Sequence, residues 1–175
     1  MNNSPNKDRP PVLKARRAVP ALRGARIRRS RPADGDRAVT IWREAVDATH
    51  HFLTASDRRS IDELVQQFLP NSKLWLAVDG NDLAMGFMQL DGSHMAALFV
   101  APAFHGIGVG RLLVEHALSL QPSITTEVNE QNAQAVAFYE RVGFVRAGWS
   151  PTDGDGRPYP LVHLQLSKER YLSQR

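Results

Sequence analysis

Three glycines within five residues, Gly106, Gly108 and Gly110, stand between an apolar strand-like run and an amphipathic helix-like run. Such a turn aims successive backbone N–H groups at one point beside a helix N-terminus, where hydrogen bonds and the helix dipole both favour phosphate oxygens. Glycine permits the close approach and the positive φ values this requires. The chain is thereby narrowed to folds with a phosphate-binding turn between a strand and a helix. A P-loop does not fit, because no Gly-Lys-Ser/Thr follows. The dinucleotide fingerprint accounts for Gly106, Gly108 and a carboxylate about 20 residues on at Glu127, but its third glycine falls on Arg111. It also opens a parallel βαβ unit, whereas here the turn follows the last of three consecutive strand signals.

The periodicity on either side predicts a mixed α/β layer fold. Residues 25–30 read as a strand near a sheet edge, since they carry Arg26, Arg28 and Arg29. Asp34 and Asp36 offer caps for a helix through Ile41, Trp42, Ala45, Val46 and Thr49. Ile61, Leu64, Val65, Phe68 and Leu69 keep the spacing of a second helix that Pro70 ends. Residues 73–78, 83–90 and 94–100 read as three antiparallel strands joined by polar turns at Asp79–Asp82 and Asp91-Gly92. After the glycine turn come a helix closed by Pro122, a strand at 124–128, a helix at 132–142 with Gly143 at its C′ position, and strands at 144–149 and 160–166. The expected order is βααβββαβαββ: a mostly antiparallel twisted sheet of about seven strands flanked by four helices.

His105-Gly106-Ile107-Gly108-Val109-Gly110 resembles the pyrophosphate loop Gln/Arg-x-x-Gly-x-Gly/Ala of the GNAT N-acetyltransferases, with His105 in place of Gln or Arg. A second stretch, Asn129 to Phe144, resembles the same family's Asn-x-x-Ala-x-x-Phe-Tyr-x-x-x-Gly-Phe signature throughout, and the two motifs come in the family's order with a strand between them. The resemblance spans roughly residues 25–166. It implies acetyl-CoA as cosubstrate, transfer of its acetyl group to a primary amine by direct attack in a ternary complex, and no metal. It also implies coenzyme contacts from the strand residues Leu98, Phe99 and Val100. Further contacts are implied for the turn (His105, Gly106, Ile107, Gly108, Val109, Gly110, Arg111) and for Asn129, Asn132, Ala135, Phe138 and Tyr139 of the second motif.

The resemblance puts the Tyr139 hydroxyl near the coenzyme sulfur as proton donor to the leaving thiolate. On spacing alone a tyrosine in an apolar helix reads equally as core, and Asn129 and Asn132 read as helix caps. A lysine-type amine, with a pKa near 10.4, must lose a proton before it attacks. In many family members a Glu eleven residues ahead of the Gln/Arg position does this, and that position here is His94; Glu127, at the end of the next strand, is the competing base. Family members whose first two helices line the acceptor groove make Trp42, His50 and Phe52 acceptor-site candidates, with Tyr159 and His163 near the last hairpin. His50 and His51 also suit a helix C-terminus, and their rings, about 100° apart on a helix, do not converge on a metal. Asp57, Asp62 and Glu63 of the second helix are placed to attract a cationic acceptor or simply to be solvated.

Charge locates a second region. Residues 1–24 hold six Lys and Arg against Asp8, a net of +5, while the whole chain carries +4, so the other 151 residues carry −1. With Pro5, Pro10, Pro11 and Pro20 and few large apolar side chains, residues 1–24 read as a disordered basic tail preceding one domain at 25–175. A near-neutral body and a tail without interleaved aromatics weigh against nucleic-acid binding. No apolar run approaches the roughly 20 residues that cross a bilayer, and the absence of cysteine suits the cytoplasm. Exchange of the last strand makes a homodimer an open expectation. Two other readings stay open beside the enzyme: an acyl-CoA-binding sensor of the same fold, and a nucleic-acid-associated protein acting through the tail.

Overall fold

The computed structural model describes Leu22 and residues 24–174, so the basic tail lies outside the described residues except for Leu22 and Gly24. The elements are β1 (Arg26–Arg29), α1 (Gly35–Thr49), α2 (Ala55–Phe68), β2 (Trp75–Val78), β3 (Ala84–Asp91) and β4 (His94–Val100). They continue with α3 (Val109–Leu120), β5 (Ser123–Asn129), α4 (Ala133–Val142), β6 (Val145–Ser150), β7 (Leu161–Ser167) and α5 (Lys168–Ser173). The order is the one the periodicity predicts, with α5 added. The seven strands form one sheet, β1-β2-β3-β4-β5-β7-β6, in which β4 and β5 are parallel and every other neighbouring pair is antiparallel.

Local chemistry sets these boundaries. The Asp79 carboxylate accepts from the Asn81 and Leu83 N–H groups at 2.9 Å each and closes the β2–β3 turn. Thr54 caps α2 through the Asp57 N–H, and Asn132 caps α4 through the Ala135 N–H at 3.1 Å. Gly143 ends α4 at φ 113, where a side chain would be strained. Ser167 caps α5, a helix too short to announce itself by periodicity.

Two apolar layers cover the sheet. On one face Leu113, Val114 and Ala117 of α3 and Val136 and Val142 of α4 pack on Ile124, Val128, Leu164 and Leu166. On the other, Ile41, Trp42 and Val46 of α1 pack on Leu76, Val78 and Phe87. The second helix buries no residue. Ile61 and Val65 pack partly buried against the α1 layer, and charge adds to the attachment: Asp62 accepts from Arg43 Nε and Nη2 at 2.7 Å each and from Arg58 at 3.1 Å, while the Arg58 guanidinium lies 4.7 Å over the Trp42 ring.

One irregularity shapes the middle of the sheet. Gln89 pairs with Ala97 and Leu90 with Met95, so Ala96 is an extra residue in β4. The bulge changes the side-chain alternation: Met95, Leu98 and Val100 face the α3–α4 layer, and Ala97 and Phe99 face α1.

Beyond the bulge the backbones of β3 and β4 meet closely at Gly86, where a Cβ would stand 2.7 Å from the Phe99 carbonyl oxygen and 3.2 Å from Val100 Cα. Because both neighbours are backbone, Gly86→Ala is expected to cost about 1–3 kcal/mol, read as a lower urea midpoint. A variant as stable as wild type would show that the two strands have room to part.

Candidate active site

The site is built on what β4 does after its bulge. The Ala101 N–H donates to the Met85 carbonyl at 2.9 Å, so by alternation Ala97 and Phe99 also direct their backbone groups toward β3. Leu98 and Val100 direct theirs the other way, toward β5. Yet β5 is in register with β4 only at His94 and Thr125. Past that point the strands diverge, and the N–H groups of Leu98 and Val100 face an opening with no strand opposite. The Val100 carbonyl accepts from His105 Nε2 at 2.8 Å, which ties the start of the glycine turn to the end of β4.

The turn itself has Gly106 at φ 77 and Gly108 at φ 98, conformations that only glycine adopts freely. Gly108 is the N-cap of α3 and supplies no side-chain cap. The first helical amide bond runs from Leu112 N–H to Gly108 C=O at 3.0 Å. The amides of Gly108, Val109, Gly110 and Arg111 therefore precede the helical ladder, and all four residues line the cleft. A Cβ on Gly110 would stand 2.9 Å from the Phe138 ring, so glycine is also needed for α3 to approach α4. Four uncapped amides at a helix N-terminus, beside open backbone donors on β4, fit a diphosphate joined to a thioester arm. Leu22 reaches this turn: its Cδ1 would lie 2.9 Å from a Cβ on Gly108.

The cleft has a volume of about 640 Å³. Leu98, Phe99 and Val100 form its floor, the glycine turn one end, and Asn132, Gln134, Ala135, Phe138, Tyr139, Arg141 and Val142 of the α4 segment one wall. Ala45, Thr49 and His50 of α1 close the opposite side.

Tyr139 is 6% exposed, with Phe138 and Phe144 edge-on at 5.1 Å each. Burial pushes its hydroxyl up to about 12, opposed only by the neighbouring Thr126 hydroxyl. It therefore keeps its proton throughout the neutral range and is available as a donor. Thr126, itself buried, donates to the Met95 carbonyl at 2.9 Å and holds β5 to β4 at the point of divergence.

His50 is the titratable side chain of the α1 wall. The Thr49 hydroxyl donates to the Ala45 carbonyl at 2.7 Å, so it accepts from His50 Nδ1 at 2.8 Å, leaving Nε2 as the lone-pair nitrogen. Burial, with smaller contributions from Arg58 and His51, holds the imidazole neutral and its pKa down to about 4. Phe52 lies 5.3 Å from His50 and 5.8 Å from Tyr159, extending an aromatic wall outside the cleft proper. The Tyr159 hydroxyl donates to Asp57 and accepts from the Thr54 N–H at 3.1 Å, joining the α1–α2 turn to the loop before β7.

Other predicted residues stand elsewhere. Trp42 is buried at 5% exposure under Arg58, in the core rather than in the cleft. His94 lies before the bulge, its Nδ1 3.1 Å from the Thr125 hydroxyl. Asn129 ends β5 opposite Leu161, its carbonyl accepting from the Asn132 N–H at 2.9 Å. Ile107 packs toward the α3–α4 core. Glu127 lies on the face of β5 opposite Thr126, with an oxygen 3.1 Å from His163 Nδ1. Sequence reasoning did not single out Ala45, Thr49, Gln134 or Arg141. The first two carry only helical spacing, which reads as core, and the others are unspecified positions within the second motif. Among the described residues no three His, Asp or Glu side chains are grouped to hold a metal, and no helix is long and apolar enough to cross a membrane.

The family described as Acetyltransferase (GNAT) domain matches residues 40–159. Peptidyl-lysine N-acetyltransferase YjaB of Escherichia coli (strain K12) is 55% identical over 138 residues, which span 79% of this chain and 94% of that protein. The solution structure of apo-form YjaB from Escherichia coli matches with a TM-score of 0.78 at 54% identity, covering 81% of this chain and 96% of that one. The fold also recurs in yncA of Salmonella typhimurium, solved with its cofactor acetyl-CoA, at a TM-score of 0.56 and 20% identity, covering 82% and 93%.

His50 makes stability depend on pH. Its folded pKa of about 4 lies below the ordinary 6.5, so between these values the unfolded chain binds the extra proton and stability falls as pH drops. Above about pH 6.5 the effect is absent, and below about pH 4 it is complete. The half-buried His116, whose pKa burial also lowers, acts in the same direction. Thermal melts between about pH 7 and pH 4.5 are expected to show this loss, and His50→Gln to lessen it. Equal slopes in the two proteins would place His50 in solvent.

Proposed function

The chain belongs to the GNAT acetyltransferase family, and from that premise we propose that it acetylates lysine side chains of proteins, with Glu127 as base and Tyr139 as acid. Acetyl-CoA is its cosubstrate, and the reaction is N-acetyl transfer to a primary amine. The observation that carries the site assignment is the divergence of β4 from β5, which exposes the Leu98 and Val100 amides between two differently equipped faces. Thr126 turns toward Tyr139 on the α3–α4 side. Glu127, the next residue, turns to the α1 side.

The lysine ammonium gives its proton to the Glu127 carboxylate, and the neutral amine attacks the thioester carbonyl carbon. The β4 amides stabilise the charge that develops on the carbonyl oxygen. As the carbon–sulfur bond breaks, the Tyr139 O–H protonates the leaving sulfur and the new amide nitrogen gives up its remaining extra proton to solvent, after which solvent reprotonates Tyr139 and takes the proton from Glu127. Glu127 suits the base role better than His94, because His94 lies where β4 and β5 are still paired. It suits it better than His50, whose buried imidazole resists taking a proton.

A lysine acceptor, the substrate named for the YjaB relatives, also agrees with the charge around the acceptor side. Asp57 is taken up by Tyr159 and Thr54, and Asp62 by Arg43 and Arg58. These carboxylates do not form a free anionic pocket for a polyamine, whereas His50 and Phe52 offer an apolar wall for a lysine's methylene chain.

Calorimetry with acetyl-CoA tests the coenzyme site. Wild type is expected to bind, and Ala135→Glu, which adds a carboxylate to the cleft wall at an unstrained helical position, to lose binding while remaining folded. With a single-lysine peptide as acceptor, Tyr139→Phe is expected to lower kcat by about 10²–10⁴-fold with acetyl-CoA affinity little changed. A folded wild type that binds no acetyl-CoA would overturn the reading. Turnover of spermidine in preference to the peptide would move the acceptor to small amines.

A further inference from the structure

The sheet face that carries Glu127 holds a connected set of groups running away from the cleft. Glu127 on β5 stands directly opposite His163 on β7, and its Oε1 lies 3.1 Å from His163 Nδ1. The other ring nitrogen, Nε2, lies 2.6 Å from the hydroxyl of Ser150, the last residue of the edge strand β6. Three adjacent strands thus each contribute one polar side chain to a single line. The donors can be assigned. A carboxylate only accepts, so Nδ1 carries the proton and Nε2 accepts from the Ser150 O–H.

Register accounts for the alignment. A shift between Arg146 and Gly148 on β6 puts Gly148 opposite His163, and a Cβ at Gly148 would lie 3.6 Å from the imidazole. Ser150, two residues on, falls on the same face diagonally across from His163. Further along this face lie His94, which is engaged by Thr125 one pleat away, and Asp91, directly opposite His94 on β3. The order hydroxyl, imidazole, carboxylate is that of a hydrolytic triad, but Ser150 sits at the sheet edge and the cleft with its backbone donors lies beyond Glu127, at the opposite end of the line. The end nearer the opening between β4 and β5 is therefore the carboxylate.

We propose that His163 is a positioning residue for acetyl transfer: held in one tautomer by Ser150, it fixes one oxygen of Glu127 and leaves the other to take the acceptor's proton. This rests on Glu127 acting as the base. An unsupported carboxylate on an exposed strand face samples several rotamers, and misplacement by about 1 Å costs on the order of a hundredfold in rate. A single Nδ1–H donor removes that freedom. Because an imidazole can take up a proton that leucine or asparagine cannot, the acid limb of the rate profile is a second readout of the contact.

The test compares His163→Leu, His163→Asn and Ser150→Ala with wild type, using acetyl-CoA and a single-lysine peptide, each protein first shown to bind acetyl-CoA. His163→Leu is expected to lower kcat about ten- to a hundredfold, with KM for acetyl-CoA unchanged and the acid limb of kcat/KM displaced. His163→Asn, whose amide nitrogen reaches the Nδ1 position, is expected to recover most of kcat without restoring the wild-type acid limb. Ser150→Ala is expected to be intermediate. A folded, coenzyme-binding His163→Leu with wild-type kcat and pH profile would overturn the proposal. A second readout needs no turnover: in ¹⁵N spectra of the imidazole rings, His163 is expected as one Nδ1-protonated tautomer that becomes mixed in Ser150→Ala and Glu127→Gln. Mixed tautomers in wild type would overturn the chain itself. If the peptide is not acetylated at all, the acceptor reading fails, and these spectra still decide the hydrogen-bond line.

Discussion

The single extra residue in β4 governs the rest of the molecule. With Ala96 inserted opposite the Gln89–Leu90 step, β4 twists away from β5 after one parallel pair, and a sheet that would otherwise be continuous opens at its centre. An opening inside a sheet exposes backbone donors and acceptors, which is costly unless something satisfies them. Two of the side chains at this margin do so: His105 takes the Val100 carbonyl and Thr126 takes the Met95 carbonyl. The amides left over face the cleft, and the coenzyme of this family is the ligand whose amide-rich arm matches them.

The glycine turn answers the same opening from the other side. Its four amides at the start of α3 lie at the end of the cleft, so in the proposed coenzyme site the turn and β4 offer the diphosphate and the thioester one line of backbone donors. Backbone recognition makes the site tolerant of side-chain identity. His105 stands where Gln or Arg is usual, yet it makes a contact that fixes the turn rather than leaving a gap. The proposed acid and base are neighbours across Thr126, on opposite faces of β5, because a strand presents successive side chains to opposite sides. The pleat thus separates a buried, protonated Tyr139 from a water-facing Glu127 without any long connection between them.

Much of this was legible in one dimension. The strands at 94–100 and 124–128 and the helix at 132–142 declared themselves by alternation, by caps at Asn132 and Gly143, and by the paired motifs. Boundaries moved by a residue or two where turn chemistry was weak. The helix α5 was missed because six residues do not establish a period, and its cap Ser167 is also the last residue of β7. Among site residues, those on the glycine turn other than Ile107 and those on the α4 segment fall together in the cleft because they belong to two contiguous segments. Trp42, Phe52, His94, Glu127, Asn129 and Tyr159 do not. Trp42 shares the helical stripe that becomes core, and counting back from His105 crosses the bulge, which no spacing rule registers.

What the sequence alone determined, then, is everything carried by local periodicity and contiguous motif: the element order, the glycine turn before α3, the αL glycines, the helix bearing Tyr139. These depend on short-range sterics and on hydrogen bonds between residues a few positions apart, so the string contains them. What only the tertiary structure decided is which face and which neighbour each polar side chain received. The bulge at Ala96, the neutral tautomer of His50, the partners of Asp57 and Asp62 on α2, and the meeting of Ser150, His163 and Glu127 from three strands all arise from register between distant segments. Register follows from packing the whole apolar core, where shifting one strand by a single residue exchanges its two faces, and no local pattern in the sequence records that choice.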